Sequence, residues 1–153
     1  MLRIALAGLH LLALGIGLYA VLARASFLKE KATPFTVRRV LRADMDWGIA
    51  AGLWIATGLW RWLAGTEKDS SYYLHNQVFL VKMGLFLLIF VLELWPMMTF
   101  IKWRAAIAKG AAPESVANPL TARRVATISY VQAVLVVLIV FHAVMMARGM
   151  GSQ

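Results

Sequence analysis

Four ionisable side chains stand inside stretches otherwise too apolar to welcome them: His10, Lys82, Glu93 and His142. A charge at the centre of a hydrocarbon layer costs about 3 kcal/mol or more, so such residues are candidates for function before anything else. An imidazole ligates metals and carries protons near neutral pH. A buried lysine serves as a base or counter-ion, and a carboxylate in a membrane relays protons or balances a cation. Taken together, these types point to a haem b held between helices. Such a site requires one or two axial nitrogens, a slot lined by small residues, and cations near the propionates. His10 is the expected axial ligand, with His142 or Lys82 as the second. Arg61 is the expected propionate partner, and glycines and alanines around His10 make room. The chain has no cysteine, which excludes covalent c-type attachment, thiolate metal sites and disulfides. A copper or zinc site would call for closer histidine spacing than the three histidines show.

Positioning these residues falls to four apolar stretches, about 4–23, 45–63, 79–100 and 128–146. Each spans about 20 residues, the length of a helix that crosses ~30 Å of hydrocarbon. The composition agrees. Of 153 residues, 61% are hydrophobic and 15% charged, against about 45–50% and about 25% in soluble domains. The expected fold class is therefore all-α: a four-helix transmembrane bundle forming a single domain over 1–153. No length remains for a soluble catalytic domain. The first stretch is longer than the apolar core of a secretory signal, and only Arg3 leads it, which argues against cleavage.

The net charge of +9 is concentrated. Arg24, Lys29, Lys31, Arg38, Arg39 and Arg42 follow the first stretch, and Lys102, Arg104, Lys109, Arg123 and Arg124 follow the third. They make up eleven of the sixteen Lys and Arg residues. By the positive-inside rule both segments face the cytoplasm and both termini lie outside, as expected for a multi-pass protein of a bacterial inner membrane. Anionic lipid headgroups are the expected partners of these segments, and nucleic acid is not.

This topology puts His10 about 9 Å below the outer surface, with Lys82 and His142 within a few residues of it and His75 near the same level. Glu93 follows Lys82 by eleven residues, about 16 Å along the same helix face, too far to pair. It is expected to meet Asp46 or a basic residue near the cytoplasmic side. Each candidate also has a plainer reading. His10 hydrogen-bonds between helices, Lys82 snorkels to the interface, His142 is solvated, and Glu93 is a structural partner or a protonated acid. Asp44 and Asp46 offset Arg42 or favour a helix start.

Thr33-Pro-Phe-Thr-Val-Arg-Arg-Val-Leu41 is echoed by Asn118-Pro-Leu-Thr-Ala-Arg-Arg-Val-Ala126, with five of nine positions identical. Thr33 and Asn118 read as N-caps, and Pro34 and Pro119 suit the first helical position. Each copy thus begins a helix at the interface that continues into the membrane, consistent with two duplicated hairpins. Gly48, Gly52 and Ala56 form a small-residue face for close helix approach or a homo-oligomer. His10, Ala13, Gly17 and Ala20 form a second stripe facing protein. Trp47, Trp60, Trp62, Tyr72, Tyr73, Trp95 and Trp103 read as interfacial belts.

Leu9-His10-Leu11, Gly52-Leu53-Trp54, Val81-Lys82-Met83 and Phe100-Ile-Lys-Trp-Arg104 carry a resemblance over the whole chain. It resembles an uncharacterised family of small bacterial four-helix membrane proteins whose function is unknown. The chain is more distantly similar to the HemJ-type protoporphyrinogen IX oxidases. There a histidine of the first span and a lysine of a later one belong to the haem-associated site, and His10 and Lys82 match them. Ser129-Tyr130-Val131-Gln132 stands where that group begins its fourth span with an Asn-Glu-Val-Pro-like run. The likeness thus implies a haem-capable bundle rather than a particular reaction. The leading expectation is a haem b protein exchanging electrons with a quinone or tetrapyrrole. The alternatives are a proton-coupled transport protein using Lys82 and Glu93, and a non-catalytic accessory subunit.

Overall fold

The computed structural model describes residues 1–63 and 76–149, with the backbone alone at Arg61 and Trp62. The described residues form five helices: α1 (Leu2–Phe27), α2 (Pro34–Leu63), α3 (Gln77–Ala108), α4 (Pro113–Val116) and α5 (Pro119–Ala147). The all-α class stands, but the expected four-helix transmembrane bundle does not. A short helix, α4, adds a fifth element. Among the described residues, only α1, α3 and α5 are long and apolar enough to cross a membrane. The second stretch falls short because Asp46, Arg61, Thr57, three glycines and four tryptophans within 45–63 lower its hydropathy. Ahead of that stretch, α2 also carries Arg38, Arg39, Arg42 and Asp44. Three candidate spans among the described residues, an odd number, conflict with the expectation of two outside termini.

The ends of these helices follow from local chemistry. Thr33 Oγ1 accepts from the Thr36 backbone N–H at 3.1 Å and caps α2. Asn76 Oδ1 accepts from Phe79 N–H at 3.1 Å at the start of α3. Asn118 Oδ1 accepts from Leu120 and Thr121 N–H at the start of α5. Each side chain satisfies donors that the first helical turn leaves open. Pro34 and Pro119 follow the two repeat caps directly, where a missing N–H costs nothing. Both repeat copies thus begin helices that run on into the apolar stretch, as their sequence predicts.

α1 packs antiparallel to α2, α3 antiparallel to α5, and α1 against α5, while α2 and α3 meet sparsely. Two apolar layers hold the helices. One gathers Ala20, Val21, Trp47, Ile89, Ala133 and Val136. The other gathers Leu28, Val40, Phe100, Trp103, Val125 and Ala126. α1 lies close on α2 at Gly17, where an added Cβ would lie 3.3 Å from the Trp47 ring. Ala13 and Ala20 are buried on the same stripe, as the spacing from His10 predicts. Gly48, Gly52 and Ala56 are exposed, and nothing lies within 4 Å of a Cβ added to either glycine. That face is therefore not the contact within this chain. Trp47 and Trp103 are buried core residues rather than belt residues, whereas Trp60 and Trp95 are exposed. The Trp62 side chain, Tyr72 and Tyr73 lie outside the described residues.

Candidate functional site

Between the two apolar layers lies a polar one, centred on a residue that sequence reading assigns to the flank of the first stretch. Arg24, near the end of α1, is 0% exposed. Its Nη1 donates to Asp44 Oδ1 at 3.0 Å and to Glu93 Oε1 at 2.8 Å. Nη2 donates to Glu93 Oε2 at 2.9 Å and to Gln132 Oε1 at 2.9 Å. Nε donates to Ser129 Oγ at 3.0 Å. A guanidinium has five N–H groups, and every one is engaged. The Trp47 and Phe100 rings flank it, with centroids 6.0 and 5.7 Å from Cζ.

The partners are themselves held. Gln132 Nε2 donates to Glu93 Oε2 at 2.8 Å and to the Ile89 carbonyl at 3.2 Å. The Ser129 hydroxyl donates back to Val125 O. Asp44 Oδ2 accepts from Arg104 Nη2 at 2.8 Å, and Arg104 also reaches the Leu41 carbonyl. Two arginines and two carboxylates from α1, α2 and α3 balance to zero net charge, and α5 adds the neutral Ser129 and Gln132. The desolvation cost of a buried ion is repaid only when geometry and further hydrogen bonds are this complete. The repeat contributes symmetrically. Asp44 and Ser129 each lie eleven residues after their copy's cap, and Trp47 and Gln132 each lie fourteen after it. All four meet the same guanidinium, so the two copies present equivalent positions to one residue of α1.

Glu93 thus meets a basic residue, as expected, and that residue is Arg24. Asp44 does not offset Arg42; it bridges Arg24 and Arg104. Arg24, Arg104, Ser129 and Gln132 escaped sequence reading. The available signal was two adjacent polar side chains, Ser129 and Gln132, one helical turn apart in an otherwise apolar stretch.

The other candidates sit elsewhere. His10 Nδ1 lies 2.9 Å from Thr57 Oγ1. The Thr57 hydroxyl donates to Leu53 O at 2.7 Å, so it accepts from His10, and the network assigns the proton to Nδ1. The ring packs against Trp54, with centroids 5.7 Å apart, and Cε1 lies 3.1 Å from where a Gly58 Cβ would be. Lys82 Nζ lies over the Phe79 ring at 5.2 Å. His142 Nδ1 donates to the Leu138 carbonyl of its own helix at 2.8 Å. His10, Lys82 and His142 thus have different described neighbours, and no group of three or more His, Asp or Glu among the described residues is placed to hold a metal ion. The Arg61 side chain and His75 lie outside the described residues. Beside His10, the interhelical space lined by Ala13, Leu14, Trp47, Ala50, Trp54 and Val136 measures about 10 Å³, room for about one water. A haem macrocycle does not fit this packing.

No curated protein and no solved structure matches the chain. A family model does match, over residues 2–151, and its description is a predicted membrane protein. The helices long and apolar enough to cross a bilayer agree with that description. The chain belongs to the DUF2214 family of predicted membrane proteins.

Proposed function

We propose that this membrane protein is a proton-coupled transport protein in which Glu93 is the proton-carrying carboxylate and Arg24 its sealed counter-charge. One observation carries the reading. The Arg24 side chain is 0% exposed, while the Glu93 side chain opposite it is 20% exposed. The acid is thus less enclosed than the cation that it pairs with, which favours a proton exchanging on Glu93 while Arg24 stays locked. Adding a proton to a Glu93 oxygen gives a neutral acid and leaves one positive charge on Arg24 without its bidentate partner. Asp44, Ser129 and Gln132 keep Arg24 in place, so the change falls on α3 relative to α1. Such an element is biased by a charge change at one residue. Lys82 is not part of this centre.

The test uses the full chain in liposomes with an entrapped pH-sensitive dye and an imposed pH step. Proton flux above that of protein-free vesicles is expected, with Glu93→Gln returning it to background. Equal flux in empty vesicles, or a Glu93→Gln variant that melts normally and conducts as before, overturns the reading.

A haem-linked redox function, with a quinone or tetrapyrrole as partner, retains one favourable observation. His10 is oriented through Nδ1 by Thr57, the arrangement typical of an imidazole that ligates a metal through its other nitrogen. It requires α1 and its neighbours to separate around His10. A Soret band lost in His10→Ala supports it, and a colourless protein after haem-supplemented expression removes it.

A further inference from the structure

The two copies of the repeat treat their arginine pairs differently. In the first, Arg39 pairs with Glu30 at 3.4 Å, and its guanidinium lies 3.8 Å from the Phe27 ring and 5.4 Å from the Phe35 ring. In the second, Arg123 and Arg124 are both exposed, and no carboxylate pairs with either among the described residues. They border an open groove of about 420 Å³ between α3 and α5, completed by Trp95, Thr127 and Ile128. That volume lies within the range of small-molecule sites. Two positive charges at the head of the groove call for an anion.

The rest of the surface says which anion. From Thr127, one and two turns further along the same face of α5, come Val131 and Val134, both exposed. From Trp95, one and two turns back along α3, come Val91 and Leu88, also exposed. The basic groove therefore opens onto a parallel apolar track on two helices long enough to cross a bilayer. A free phosphate would use the first part and leave the second empty. An amphiphile with a phosphate head and acyl chains uses both. Trp95 is 40% exposed at the junction, and indole rings favour the boundary between headgroup and hydrocarbon.

We propose that Arg123, Arg124, Trp95 and Thr127 form a binding site for one anionic glycerophospholipid, its phosphate on the arginines and its chains along the α3–α5 track. The site is separate from the Arg24 hub and independent of the transport reading.

The probe is phosphatidylglycerol brominated along its acyl chains, which quenches nearby indoles. It is titrated against the full chain in neutral detergent, with brominated phosphatidylcholine as the zwitterionic control. Saturable quenching at about tenfold lower phosphatidylglycerol concentration is expected, and this phosphatidylglycerol-selective part should disappear in Trp95→Phe. The paired change Arg123→Gln and Arg124→Gln should bring the two lipids to equal affinity. Both residues are exposed, so the fold should survive, and the wild-type comparison of the two lipids stands without the variant. Equal quenching by the two lipids overturns the proposal. So does displacement of phosphatidylglycerol by inorganic phosphate at comparable concentration, which would show a bare anion site. Phosphatidylglycerol-selective quenching that persists in Trp95→Phe overturns the placement in this groove.

Discussion

Removing the Arg24 side chain leaves two carboxylates on different helices facing a space shaped for a cation. Asp44 keeps Arg104, and Glu93 keeps only the Gln132 amide. Breaking a buried pair from one side costs about 3–5 kcal/mol, so Arg24→Ala should lower the thermal midpoint in detergent strongly. Arg24→Lys keeps the charge but lacks the planar fork that serves Glu93, Gln132 and Ser129 together, and its loss should be intermediate. A midpoint unchanged in Arg24→Ala would mean that the hub contributes nothing to stability. His10 stands in contrast. Its hydrogen bond to Thr57 is worth about 1 kcal/mol, and the spectroscopic consequence of its truncation is decisive for the haem reading.

At the scale of elements, two glycine faces of similar appearance behave oppositely. Gly17 on α1 is covered by α2, and even a Cβ there falls 3.3 Å from the Trp47 ring and 3.4 Å from Ala50 Cβ. Gly17→Val must push the helices apart, and overpacking of this kind costs about 1–3 kcal/mol. Gly52 on α2 faces outward with open space around it. Gly52→Leu should therefore leave the midpoint unchanged or raise it, since glycine inside a helix costs up to about 1 kcal/mol relative to a good helix former. Thermal unfolding of the two variants, side by side, checks which face carries the packing.

At the scale of the molecule, α1 and α5 are central. Each packs on a partner and on the other, while α2 and α3 are joined across their sparse seam by Arg104 with Asp44 and by Trp54 with Phe86. Local opening follows the density of buried contacts. Amide exchange in micelles should thus be slowest around residues 20–25 and 125–136, where both apolar layers meet the hub, and faster in the outer half of α2. Uniform protection along all the long helices would contradict this order.

The sequence by itself determined the all-α class, the apolar stretches, both repeat caps and the isolation of Glu93 among apolar neighbours. Each follows from local rules: hydrocarbon length, first-turn donors, and the cost of a charge out of water. It misjudged the number of spans because a run of the right length need not be apolar enough to cross. α2 begins at Pro34, ahead of its apolar run, and that run itself holds Asp46 and Arg61 among glycines and tryptophans. Only the tertiary structure decided that Arg24 turns inward instead of out to solvent. Its five donors find acceptors contributed by three other helices, and no spacing along one chain segment encodes that convergence. The same reason explains Gly17 and Gly52. A stripe of small residues is legible in one helix, but whether another helix covers it depends on how both lie in space.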